Sequence, residues 1–145
     1  MTVIAWDGRT LTADKRASIG GYPATVTKII RTASGELIGA SGDLDTARAL
    51  MAWYCAGAFA DGYPDNRNGD YCRAYLMVIT CEGKIHKYER EPIALPFEDK
   101  FAAMGSGRDY ALAAMHLGRT ARKAVEVACA LDTGCGNGID TLRLK

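Results

Sequence analysis

This sequence predicts an α+β fold, with antiparallel sheets carrying helices on their outer faces. Two observations carry that expectation. Strand-like and helix-like segments come in blocks, ordered strands, one helix, strands, two helices, one strand. Such blocks separate helices from an antiparallel sheet instead of alternating them around a parallel one. The spacing of apolar residues also changes from period two to period 3.6 at about Asp43, and again at about Arg108.

The elements follow in order. TVIAW is followed by Asp7 and Gly8, a strong hairpin turn signal, and RTLTA returns with alternating polar and apolar residues. ADKRASIGGYPA is looser, with Gly20, Gly21 and Pro23 marking a turn. TVTKIIRT is β-branched and reads as a strand. Ser34 and Gly35 turn the chain into the next strand, ELIGAS, so the opening reads as two successive hairpins. Over about 43–59, Leu44, Ala47, Met51, Tyr54 and Cys55 recur at helical spacing on one apolar face, with Ser41 and Asp43 able to cap the start. Trp53 falls off that stripe, which marks either a contact surface or a second buried layer.

DGYPDNRNGDY is a loop of turn formers. It fails as a calcium loop, because placing Asn68 and Gly69 in register puts Pro64 at the first ligand position. AYLMVIT reads as a buried strand, Glu82 and Gly83 as a turn, and KIHKYER as the alternating partner, with Leu95 and Pro96 ending that region. KFAAMGS is a short strand. Helices are predicted over about 108–117 and 119–131, the second with Ala121, Val125, Ala128 and Leu131 on one stripe. The glycine-rich turn after Asp132 leads into a last strand, IDTLRL.

The 145 residues fit one domain, residues 1–145, burying about two-thirds of its unfolded surface. A net charge of +1 provides no global field for nucleic acid or an anionic membrane. No run approaches the roughly 20 apolar residues of a membrane span, and no secretion signal is expected. The five cysteines, Cys55, Cys72, Cys81, Cys129 and Cys135, are odd in number and lack C-x-x-C spacing. They read as reduced thiols of a cytoplasmic protein, with no metal and no cofactor expected.

Few residues suggest chemistry singly. GSGRD (105–109) lacks the arrangement of a nucleophile elbow, and no helix follows GCGNG as a dinucleotide fingerprint requires. His86 is expected to face solvent and His116 to sit on a helix face, so a histidine-based triad is disfavoured. Thr2 remains. Its hydroxyl needs a base, and a free α-amino group, with an unperturbed pKa of roughly 7.7–8.0, is one. In an N-terminal threonine, both groups belong to one residue.

Several separated segments, read together, resemble the β-subunit family of proteasomes, including the peptidase subunit of the bacterial two-component ATP-dependent protease. TVIAWDGRTLTADKR is similar to the family's opening and ATVTKIIR to its lysine-bearing strand. LIGASGDLDTARALMAW, AAMGSGRDYALAAMHLG and LDTGCGNGIDTLRL resemble the strand before the first helix, the Gly-Ser-Gly junction and the closing turn and strand. The resemblance implies a four-layer αββα sandwich of two antiparallel sheets, the N-terminal-nucleophile (Ntn) hydrolase fold. It implies a threonine peptidase in which Thr2, exposed by removal of Met1, is nucleophile and base. Asp14 would hold Lys28, Lys28 would lower the effective pKa of the hydroxyl, and the Gly42 N–H would serve as oxyanion hole. Ser106, Asp132 and Cys135 would support the amine and its water, Cys135 standing where the family has serine. Val26, Ala40 and Leu44 would line the pocket for the residue before the cut bond. A homo-oligomeric ring, a polypeptide substrate and an ATP-driven unfoldase as regulator are implied, with no nucleic acid or membrane partner. Two alternatives share the fold: a small amide hydrolase, and a scaffold ring subunit that retains Met1.

Overall fold

The computed structural model describes residues 1–145. Its strands are β1 (Ile4–Trp6), β2 (Thr10–Asp14), β3 (Arg16–Ile19), β4 (Tyr22–Thr25), β5 (Ile29–Arg31), β6 (Leu37–Gly42), β7 (Arg67–Asn68), β8 (Tyr71–Cys72), β9 (Ala74–Ile79), β10 (Ile85–Tyr88), β11 (Leu95–Phe97), β12 (Ala102–Met104) and β13 (Ile139–Arg143). Three α-helices accompany them: α1 (Leu44–Cys55), α2 (Arg108–His116) and α3 (Ala121–Leu131). One of the two larger antiparallel sheets has the order β12-β1-β2-β13 and the other β11-β10-β9-β6-β5, while β3–β4 and β7–β8 form separate two-stranded ribbons. No helix is long and apolar enough to cross a membrane.

The central strands of both sheets are buried on both faces, and the strand sequences show why. Side chains alternate sides along a strand. In β1 and the residue before it, Ile4 and Trp6 enter the layer between the sheets, while Val3 and Ala5 face α2 and α3. In β9, Met77 and Ile79 point between the sheets and Leu76 and Val78 towards α1. Three apolar layers thus separate four structural layers, helices–sheet–sheet–helix. Gly39 sets the spacing on the β6 side, because a side chain there would lie 2.7 Å from Ile29 Cγ2 and 3.0 Å from Ile4 Cδ1.

The helix starts are local. The Asp43 carboxylate accepts from the Thr46 N–H at 3.0 Å and Thr120 Oγ1 from the Lys123 N–H at 3.2 Å, so both act as N-caps. Ser41 belongs to β6 and does not cap.

Several local expectations are corrected. The segment around Gly20 and Gly21 is a third hairpin, β3–β4, because both glycines take positive φ (56° and 83°) and close a tight two-residue turn. Leu95 and Pro96 lie in an edge strand on β10, where proline's missing N–H costs no ladder bond. Leu131 is 59% exposed at the end of α3.

Trp53 is a core residue, 6% exposed, packed edge-to-face on Tyr63 and Tyr88 with ring centroids at 4.7 and 5.3 Å. Its indole N–H donates to the Phe59 carbonyl at 2.7 Å. The buried face of α1 is Thr46, Ala47, Leu50 and Trp53, and the returning loop covers the far side of the indole. Trp53→Ala is therefore expected to cost about 3–5 kcal/mol in urea unfolding.

Candidate active site

Thr2 lies just ahead of β1, an interior strand, and is almost fully buried. The β1–β2 register sets Asp14 opposite the start of β1. The Asp14 N–H donates to the Val3 carbonyl at 3.2 Å, and the Val3 N–H donates to Asp14 Oδ1 at 3.0 Å. The other carboxylate oxygen accepts the N–H groups of Arg16 (3.2 Å) and Gly136 (3.1 Å). Lys28, immediately before β5, reaches in from the second sheet and donates to Asp14 Oδ1 at 2.8 Å.

Asp14 is 0% and Lys28 7% exposed. Burying two charges costs more than their attraction returns unless every donor and acceptor is also satisfied. Here they are. Lys28 Nζ has three N–H donors and three acceptors: Asp14 Oδ1, Thr2 Oγ1 at 3.0 Å and the Met1 carbonyl at 3.2 Å. No buried side-chain polar atom in the protein lacks a partner. The cation is thus aimed at the threonine oxygen, where it favours negative charge on that oxygen. With Met1 attached, Thr2 Oγ1 donates to the Met1 carbonyl at 2.7 Å.

A second chain of contacts approaches the Thr2 nitrogen. The Thr2 N–H donates to Ser106 Oγ at 3.3 Å, and Ser106 donates to Asp132 Oδ2 at 2.7 Å. Asp132 also accepts the Gly134 N–H at 2.8 Å and the Cys135 thiol at 3.4 Å. The Ser106 hydrogen bond, then the Gly134 N–H, hold the Asp132 carboxyl below the usual carboxylate range, outweighing burial. Burial first, then the Asp14 and Asp132 carboxylates, push the Cys135 thiol up to about 12.

That raised value favours the neutral thiol in the fold. Its stabilising contribution is complete below the unfolded thiol value and is lost as pH rises towards 12. Iodoacetamide at pH 8 should therefore modify the exposed Cys55 and Cys81 while Cys135 reacts at least about 100-fold more slowly, as peptide-mapping mass spectrometry would show.

The glycines around Ser106 are required by this closeness. Gly105 has φ of 93°, and any side chain there would overlap the Thr2 carbonyl. The Gly107 N–H donates to that same carbonyl at 3.1 Å. Gly42, with φ of 108°, ends β6 so close to Arg73 and Ala74 that a side chain would collide with their backbone.

Two clefts flank Thr2, sharing Met1, Ser41 and Gly42 as lining. One, about 390 Å³, is walled by Lys28, Ala40 and Leu44, with Ala17 and Ile19 from the β3–β4 hairpin. The other, about 480 Å³, runs past Ser106 to Tyr75, Lys87 and Arg108. Thr2, Asp14, Lys28, Ser106, Asp132 and Cys135 are thus brought together, with Gly42, Ala40 and Leu44 on the cleft walls. Val26 lies outside both linings; its N–H donates to the Lys15 carbonyl at 2.8 Å. Sequence reasoning missed Gly136 as a donor to Asp14, although the GCGNG turn was visible. It also missed Tyr75, Lys87 and Arg108, which carry no motif.

No family model and no curated protein matches the sequence. Solved structures do. Thiobacillus denitrificans BPH is 20% identical with a TM-score of 0.70, over 99% of this chain and 98% of that one. The same protein in complex with epoxomicin is 21% identical with a TM-score of 0.69, over 100% of both chains. Eukaryotic HslV from Trypanosoma brucei is 20% identical with a TM-score of 0.70, over 99% and 98%. End-to-end superposition at this level, with two facing antiparallel sheets between helices, gives the chain the proteasome-type Ntn-hydrolase fold.

Proposed function

We propose that residues 1–145 form one proteasome-like threonine peptidase unit, with Thr2 as nucleophile once Met1 is removed. The observation that carries this reading is the buried Lys28, whose donors converge on Asp14 and on Thr2 Oγ1. A solvated surface lysine has no reason to be held this way. The shared fold with HslV, and with a BPH structure that holds epoxomicin, supports it.

Removal of Met1 converts the Thr2 nitrogen from amide to amine. The hydroxyl then attacks the scissile carbonyl, its proton passing to the amine, while Lys28 stabilises the oxygen as it loses that proton. The Gly42 N–H stabilises the oxyanion, a contribution of several kcal/mol in such sites. Collapse breaks the C–N bond, and the leaving amine takes the proton from the Thr2 ammonium. Water, deprotonated by the now neutral Thr2 α-amine, then hydrolyses the ester, and the proton returns to Thr2 Oγ1 as it leaves. Ser106, Asp132 and Cys135 orient the amine, and the cleft with Ala40 and Leu44 receives the residue before the cut. The protein would work as a homo-oligomeric ring, fed polypeptide by an ATP-driven unfoldase in the cytoplasm.

The test is intact mass followed by epoxomicin. Loss of Met1 and a covalent adduct mapping to Thr2 are expected. Retention of Met1 at every growth stage, with no adduct, would overturn the peptidase and favour the scaffold ring.

A further inference from the structure

The two clefts differ in charge. The one with Ala40 and Leu44 is bordered by Asp43 and Asp45 as well as Arg16 and Lys28. The one beyond Ser106 is lined by Lys87 and Arg108 and by no carboxylate. Both cations are positioned from beneath. Lys87 Nζ sits 4.4 Å from the centroid of the Tyr75 ring, and the Arg108 guanidinium donates to the Gly105 carbonyl at 3.1 Å. Glu89, 3.1 Å from Lys87, and Asp109, 3.8 Å from Arg108, do not line the cleft.

The proton path decides which half of a substrate lies there. The leaving amine takes its proton from the Thr2 nitrogen, and that nitrogen faces Ser106. The half released first therefore occupies the Ser106 side, and the acyl half occupies the Lys28 side. We propose that the Ser106-side cleft binds the leaving half of a polypeptide and selects acidic side chains there, with Lys87 and Arg108 as the specificity-determining residues. This rests on the threonine peptidase reading. Two partly exposed cations acting together give a preference of about fivefold to tenfold. It weakens with salt, because the screening length falls from about 10 Å at 0.1 M to about 3 Å at 1 M.

Two measurements test it. Quenched peptides sharing one acyl half, with Asp-Glu or Asn-Gln after the cut, are compared by kcat/KM. The leaving-half peptides alone are titrated against Thr2→Ala, which binds without turnover. The expected results are about fivefold to tenfold faster cleavage and tighter binding of the acidic peptides, reduced to about one in the Lys87→Gln/Arg108→Gln double variant and kept in Lys87→Arg. Equal binding of acidic and neutral peptides by folded Thr2→Ala would overturn the charge selection. So would a preference that survives the double variant or 1 M salt. Absence of cleavage with the binding preference intact would instead reject the peptidase reading and leave an anionic-peptide site.

Discussion

Thr2→Ala is expected to lower peptide turnover by at least about 10⁴-fold while leaving the fold intact. Removing the nucleophile of a covalent mechanism leaves only binding and oxyanion stabilisation, which accounts for a loss of that size. The structural cost is small. With Met1 removed, the substitution takes away one of the two remaining acceptors of Lys28 Nζ, but the 2.8 Å contact with Asp14 stays. One hydrogen bond is worth about 1 kcal/mol, a shift of a few degrees in Tm. Steady-state cleavage beside a thermal melt separates the two effects. Turnover within tenfold of the parent would move the nucleophile away from Thr2.

Asp14→Ala is expected to do the opposite, damaging the fold together with the chemistry. The carboxylate accepts the Val3, Arg16 and Gly136 N–H groups and Lys28, all where water cannot replace it. Its loss leaves a buried ammonium without a counter-ion, which costs about 3–5 kcal/mol, or about 10–15 °C in Tm at this size. Adding Lys28→Met should recover much of that stability, since the orphaned charge goes with it, and none of the activity. A double-mutant cycle in urea measures the coupling. Additive losses would mean that the pair is not held as a unit.

Much of this was legible before any coordinates. Asp14 and Lys28 were readable as lying on neighbouring hairpins, where their side chains could meet; the β3–β4 hairpin between them was not. Ser106 and Asp132 came only from the family resemblance of the glycine-rich segments that hold them, and Gly105 proves to be a spacing residue against Thr2. Sequence spacing could not choose between a contact surface and a second buried layer for Trp53, because its partner is the Phe59 carbonyl, in a loop whose return onto α1 has no periodic signal. Val26 lies on the extended run between β4 and β5, where the alternation that predicts facing lapses. Tyr75, Lys87 and Arg108 stand on β9, β10 and α2, and only the folded topology gathers them on one wall.

The Gly136 N–H bound to Asp14 places a condition on biosynthesis. The carboxylate that holds Lys28 acquires its last donor from a residue made 122 positions later, and β1 pairs with β12 across a comparably long stretch of chain. Contacts this far apart form late, because loop closure precedes them. A chain still emerging from the ribosome therefore carries Thr2 before the donors that fix Asp14, and through it Lys28, are all in place. On the threonine peptidase reading, the site stays dormant until residue 136 has emerged, and the growing polypeptide, its neighbours and the translation machinery are not exposed to it before then.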